Sequence, residues 1–264
     1  MIHEDAYLPY ALNYSKPGIV VIFNNKVFRD DILQKRYGSV HDVRRLYDVF
    51  TNLKYEIKLH EDLDATQIRN AIREYTQRDY SNDDSFICFI MSHGSNGQIK
   101  SSDNESIFIT EFIDPLKLNQ SLKDKPKLFF IEACRGNKYV PTISTISNGE
   151  QLYHDAVFEL ELERQLEVKV SPSIPIEADF LLCNSTVEGY NSSNKISSGS
   201  FYIQILCNVI SKYPGEEINK ILTIVNDQVA QTKIMMSTYE NRLRKPLYLT
   251  RSPVMNRNDF NKLH

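Results

Sequence analysis

Two short segments carry residue types that can do covalent chemistry. The apolar run 85–91 ends in Ser92-His93-Gly94, and the apolar run 127–131 ends in Glu132-Ala133-Cys134-Arg135-Gly136. A thiol attacks a carbonyl only as thiolate, and a neighbouring imidazole can take its proton. The glycine after the histidine lets a backbone N–H approach a developing oxyanion, and the N–H of Cys134 can supply a second donor. A cysteine inside an apolar run is ordinarily a small core residue, and Cys88, Cys183 and Cys207 fit that description. Cys134 does not, because it stands past a strand end beside Arg135 and Gly136. The four cysteines are too widely spaced for a disulfide framework or paired zinc ligands, so no metal is expected and a reducing compartment is.

The elements that position these residues follow from periodicity. Segments 18–24, 85–91 and 127–131 are continuous apolar runs, the mark of strands buried on both faces. Segments 55–59, 178–183 and 246–250 read as three further strands. A helix beginning near Ser39 carries Val43, Leu46, Tyr47 and Phe50 at helical spacing, and another carries Ile68, Ile72 and Tyr75. Two more cover 199–213 and 216–231, broken by Pro214-Gly215. Alternating strands and helices indicate an α/β fold: a six-stranded, mostly parallel sheet with helices on both faces. In such sheets chemistry sits past the carboxyl ends of the strands, where His93 and Cys134 fall.

The chain has 264 residues, 41% hydrophobic and 25% charged, an ordinary globular composition. A net charge of −3 leaves no basic surplus for a phosphate backbone, so nucleic-acid binding is not expected. No apolar run reaches the roughly 18 residues of a membrane span, and 1–14 lacks the pattern of a signal peptide. Residues 1–17 read as a short polar tail. The stretch 137–175 is a long interruption, in which Leu160, Leu162, Leu166, Val168 and Val170 fit either a strand or a helical turn. There are 15 Tyr and 13 Phe but no Trp.

These motifs resemble the caspase family, cysteine peptidases of the caspase/gingipain type that cut after aspartate. The family pentapeptide Gln-Ala-Cys-Arg-Gly appears as Glu132-Ala-Cys-Arg-Gly136, with His93 41 residues upstream. Asn24-Asn-Lys-Val-Phe28, Arg36-Tyr-Gly38, Asp42, Ser92-His-Gly-Ser-Asn-Gly97, Ile174-Pro-Ile-Glu-Ala-Asp-Phe180 and Gly199-Ser-Phe201 occur in family order. The resemblance implies the caspase–haemoglobinase fold, with His93 as general base and Cys134 as nucleophile. It implies Gly94 and Cys134 amides at the oxyanion, and an imidazole oriented by backbone rather than by a third acid. No cofactor is implied. It divides the chain into a tail 1–17, a large-subunit region 18–136, an intersubunit linker 137–175 and a small-subunit region 176–264. Asp5 and Asp155, each followed by Ala, are the candidate processing sites, and the short tail suits an effector-type layout.

The sequence departs from the family where substrate aspartate is held. Two arginines and a glutamine are expected there, because a buried carboxylate must be paired and guanidinium does so bidentately. Arg36 matches the first arginine. The glutamine is Glu132, and counting back from Gly199 puts Asn194 at the second arginine, in the segment Asn191-Ser192-Ser193-Asn194-Lys195. Ser193 and Phe201 stand where the family has tryptophans. A pocket of about +2 becomes one in which Arg36 and Glu132 cancel and are expected to pair with each other. Breaking a buried ion pair costs about 3–5 kcal/mol, which lowers kcat/KM by roughly two to four orders of magnitude. Two functions fit: a pseudo-caspase or decoy that pairs, as homodimer or heterodimer, with an active caspase in the cytoplasm, or a working endopeptidase of weak or shifted specificity acting on protein substrates.

Overall fold

The computed structural model describes residues 8–29, 33–95, 97–136, 174–190, 192, 194–195 and 198–250. In chain order these contain β1 (Lys16–Asn24), α1 (Ser39–Asn52), β2 (Glu56–Glu61), α2 (Ala65–Gln77), β3 (Asp83–Met91), β4 (Gly94–Ser95), β5 (Gln98–Lys100), β6 (Ser106–Phe108) and α3 (Ile109–Lys117). There follow β7 (Lys127–Glu132), β8 (Phe180–Asn184), β9 (Asn194–Lys195), β10 (Gly199–Ser200), α4 (Phe201–Lys212), α5 (Ile218–Gln231) and β11 (Thr238–Asn241).

Six strands form the main sheet in the order β11-β8-β7-β3-β1-β2. All neighbours are parallel except β11, which runs antiparallel to β8. Because side chains alternate across a strand, each apolar run feeds two cores. Val20 and Ile22 of β1, Ile87 and Phe89 of β3, and Leu128 and Phe130 of β7 meet α1, α4 and α5 on one face. Ile19, Val21 and Phe23, Phe86, Cys88 and Ile90, and Phe129 and Ile131 meet α2 and α3 on the other.

Two expectations need correction, and one stretch went unread. The sixth strand is Thr238–Asn241, not 246–250. An edge strand need not bury both faces, so a polar Thr-Tyr-Glu-Asn run suffices there. The apolar segment around 246–250 instead buries Leu247 and Leu249 in the α1/α4/α5 core, and Leu247 accepts a hydrogen bond from the Ile218 N–H. The stretch between His93 and β7 holds a three-stranded sheet, β4-β5-β6, and α3, none of which the sparse apolar residues announced.

Residues 8–17 are not a free tail either. Tyr10 is buried, and its hydroxyl donates to Asp179 at 2.5 Å while accepting from the Arg244 N–H. Arg244 grips the same carboxylate through Nε and Nη2 at 2.9 and 2.8 Å. This knot ties the start of the chain to the turn before β8 and the segment after β11. Tyr10→Phe should therefore lower unfolding stability in urea by about 1–3 kcal/mol, the range for a hydrogen bond to a charged group. An unchanged midpoint would show that the knot carries no weight.

Candidate active site

Register places the reactive pair. β3 and β7 pair in parallel with Met91 opposite Glu132, and the Ser92 N–H continues the ladder to the Glu132 carbonyl. Two residues further along each strand stand His93 and Cys134, so both leave the sheet at the same height on neighbouring strands. They line a common cavity of about 320 Å³ with Gly94, Gln98, Lys100 and Gly136.

The imidazole is oriented by backbone. His93 Nε2 lies 2.6 Å from the Gln34 carbonyl oxygen, and the ring packs on Phe28 with centroids 5.0 Å apart. A carbonyl only accepts, so Nε2 must carry the hydrogen and Nδ1 keeps its lone pair for a thiol proton. Burial lowers the His93 pKa, opposed by the Gln34 hydrogen bond and helped by the Arg36 charge. Burial raises that of Cys134; the Ser192 N–H opposes the rise, Glu132 adds to it and Arg36 opposes it. Both shifts favour uncharged forms, so the resting pair is thiol and imidazole, with the Cys134 thiol 3.7 Å from the Ser192 carbonyl as its acceptor.

The amide of Gly94 is not used by the β4-β5 ladder. The Lys100 N–H donates to the His93 carbonyl, which makes 93/100 a hydrogen-bonded pair of the β4-β5 ladder. The next pair, Gly94 and Ile99, is then of the non-hydrogen-bonded kind, and the Gly94 N–H points away from β5. Gly94 also lies against the thiol's own backbone: a Cβ there would meet Ala133 Cβ at 2.9 Å and the Cys134 carbonyl at 3.1 Å. On the far side of Cys134, the Arg135 N–H donates to the Tyr190 carbonyl and the Gly189 N–H to the Arg135 carbonyl. That pairing brings Gly136 so close to Gly189 that an added Cβ would lie 2.3 Å from its carbonyl carbon.

Beside the dyad lies a buried cluster of charge. Glu132 is 2% exposed and Arg36 5%. They do not form the ion pair expected from the sequence. Arg36 Nη1 donates instead to the Asn25 carbonyl at 3.0 Å, and Glu132 Oε1 accepts from the Ser192 hydroxyl at 2.5 Å. Each has found a neutral partner within its own neighbourhood, which satisfies one atom without drawing the charges together. Glu132 Oε2 is buried without a hydrogen-bond partner among the described residues. Desolvation, helped by the Asp42 charge, pushes the Glu132 pKa up to about 7, against the Ser192 and Ser185 hydroxyls and the Arg36 charge. Asp42 is lifted to about 6 by burial, although the Gln204 amide and the Ser200 N–H both donate to it.

Ser192 joins the two halves of the site, because its N–H also donates to Cys134 Sγ at 3.4 Å. Asn194 pairs with Ser200 in the β9-β10 ladder; its side chain, like Asn191, Ser193, Asp5 and Asp155, lies outside the described residues. Phe201 opens α4 and packs against the core. The Gln34 carbonyl, the Ser192 hydroxyl as partner of Glu132, and Asp42 as anchor of Ser200 were missed from sequence. The first is a main-chain atom and the others are common polar residues, so residue type gave no signal.

The electrostatics make a prediction that needs no proteolysis. The Glu132 carboxylate disfavours a thiolate at Cys134, so Glu132→Gln should move the pH midpoint of Cys134 alkylation by iodoacetamide downward. Cys88, Cys183 and Cys207 should stay unlabelled, being buried with pKa values pushed far up. A midpoint that rises or stays fixed would place Glu132 outside electrical reach of the thiol.

Comparison with known proteins agrees with this geometry. The family model described as the caspase domain matches residues 17–248. Caspase-6 of Gallus gallus is 32% identical over 234 residues, covering 87% of this chain and 75% of that protein. Caspase-3 of Xenopus laevis is 35% identical over 224 residues, covering 84% and 74%, and caspase-3 of Felis catus is 35% identical over 231, covering 84% and 75%. With a parallel sheet that sets His93 beside Cys134 and a pentapeptide that differs from the family's at its first residue, this chain belongs to the caspase family.

Proposed function

We propose that this chain is a caspase homologue with a working Cys134–His93 dyad and an impaired aspartate pocket, acting at neutral pH mainly by binding. One observation carries the reading: a buried Glu132, two residues before the nucleophile, where the family presents an amide donor. An ionised carboxylate offers no donor and repels a substrate carboxylate. Arg36, with Asp42 also in its field, is the matching arginine that remains to attract it.

The partner in this reading is an active caspase in the cytoplasm, regulated during apoptosis as heterodimer or homodimer. The support is β11, which pairs only with β8 among the described residues and leaves its outer N–H and C=O groups as a template for another strand. Among the described residues no helix is long and apolar enough to cross a membrane. Processing is proposed after Asp155. Incubation with an active effector caspase should release fragments of the mass expected for that cut; a chain left whole or cut only elsewhere would remove this step.

Pocket repair tests the main reading. Glu132→Gln restores an amide donor and Asn194→Arg a guanidinium, and both face one ligand group, so their effects should couple rather than add. Each single change should give little cleavage of an aspartate-ended fluorogenic peptide. The double change should raise kcat/KM by roughly two to four orders of magnitude, and Cys134→Ala should abolish it. A wild-type chain as active as an ordinary effector caspase at neutral pH would refute the reading.

A further inference from the structure

The carboxyl of Glu132 is placed to act in a second form. We propose that the pocket beside Cys134 accepts an acidic side chain together with one proton: neutral Glu132 donates a hydrogen bond to the ligand carboxylate while Arg36 supplies the positive charge. The inference rests on the reading that the dyad and the Arg36–Glu132 cluster form one peptide site.

The geometry favours this form. Oε1 is already engaged as acceptor by the Ser192 hydroxyl; Oε2 is buried and closes no hydrogen bond of normal geometry, with the Ser185 hydroxyl, itself unbonded, acting on the same carboxylate. An ionised carboxylate with one oxygen left bare in the interior is costly. A proton on Oε2 removes that charge and creates a donor, for which a ligand carboxylate is a stronger acceptor than the neutral Ser185 hydroxyl beside it. Arg36, which neutralises Glu132 in no ion pair, keeps its charge for a ligand. The same Ser192 touches Cys134 Sγ, so the carboxyl and the nucleophile lie one residue's width apart.

The groups facing Glu132 come from every element around it. Arg36 approaches from the segment after β1 and Asp42 from α1. Ser185 follows β8, with its N–H on the Ile131 carbonyl; Ser192 comes from the next loop and Tyr202 from α4. With both carboxylates ionised the cluster sums to −1, and one proton brings it to zero. Glu132 and Asp42 titrate near neutrality and share Arg36, so the proton belongs to the cluster and not to one atom. An arriving carboxylate strengthens the demand for it, since two carboxylates in contact cannot both stay ionised. The balance is simple: ligand carboxylate, one proton from solvent and ionised Glu132 give a carboxylate–carboxylic acid pair.

The experiment compares a peptide ending in aspartate with its isosteric asparagine counterpart on the full chain, from about pH 5 to pH 8. The ratio of their kcat/KM values cancels the titration of His93 and Cys134, which act on both. The ratio should fall by up to about tenfold per pH unit above the Glu132 titration in the wild type, and lose most of that slope in Glu132→Gln, where Asp42 is the cluster's remaining carboxyl. A flat wild-type ratio would overturn the proposal without recourse to any variant. Calorimetry on Cys134→Ala, in two buffers of different ionisation enthalpy, reads binding without chemistry. Uptake of about one proton per aspartate peptide near pH 7.5, absent with the asparagine peptide, is expected. Binding without uptake, or no binding of the aspartate peptide at any of these pH values, overturns the proposal. The pseudo-caspase reading fails on a separate result, full activity at neutral pH, whatever the slope.

Discussion

The parallel register of β3 and β7 is the constraint on which the rest depends. With Met91 opposite Glu132, the residues two steps beyond each strand become His93 and Cys134. A slip of one residue would send Ile87, Phe89 and Met91 toward α2 and α3 and move Phe86, Cys88 and Ile90 to the opposite core. Both faces are packed, so the register is fixed from two sides at once. The dyad is thus positioned by hydrophobic burial far below it. The loops above add only trim: the Gln34 carbonyl turns the imidazole, and the Arg135–Tyr190 and Gly189–Arg135 bonds clamp the strand end behind the thiol.

The charged cluster obeys a different rule. Arg36, Asp42 and Glu132 are all buried, yet neither carboxylate closes an ion pair with the guanidinium. Neutral groups serve each of them instead: a main-chain carbonyl for Arg36, an amide side chain and a backbone N–H for Asp42, a hydroxyl for Glu132. In this arrangement desolvation outweighs Coulomb attraction, which is why both carboxyl pKa values rise despite the nearby cation. A cluster held this way can change charge without unfolding, since no structural ion pair is lost when a proton arrives.

How much of this the sequence disclosed follows from the same division. β1, β3 and β7 were legible because each is buried on both faces and so is apolar without interruption. From those runs alone, Ser92-His93-Gly94 and the Cys134 pentapeptide fall at strand ends. The edge strand β11 was not legible, because Thr238 to Asn241 is half-exposed and polar, while the more apolar 246–250 goes to the core beneath α5 instead. The β4-β5-β6 sheet rests on isolated residues, Ile99 and Ile107, too few to show a period. Glu132 and Arg36 were legible as a departure from the family pocket. Their failure to pair was not, since it turns on the Asn25 carbonyl and the Ser192 hydroxyl, contacts between segments that only the folded chain brings together.

A retained dyad beside an altered pocket is less contradictory than it first appears when the parts are sorted by origin. Much of what surrounds the His93 and Cys134 side chains is main chain: the Gln34 carbonyl, the Gly94 amide and the backbone around Cys134. The pocket, by contrast, is made of side-chain charge, and substitution at two positions, Glu132 and Asn194, cancels that charge without touching the sheet. Selection for binding can therefore reshape the pocket while the fold goes on presenting the dyad. Where the altering residue is a carboxyl whose charge is already suppressed by burial, the change is also reversible by a proton, so recognition and its loss become two protonation states of one site.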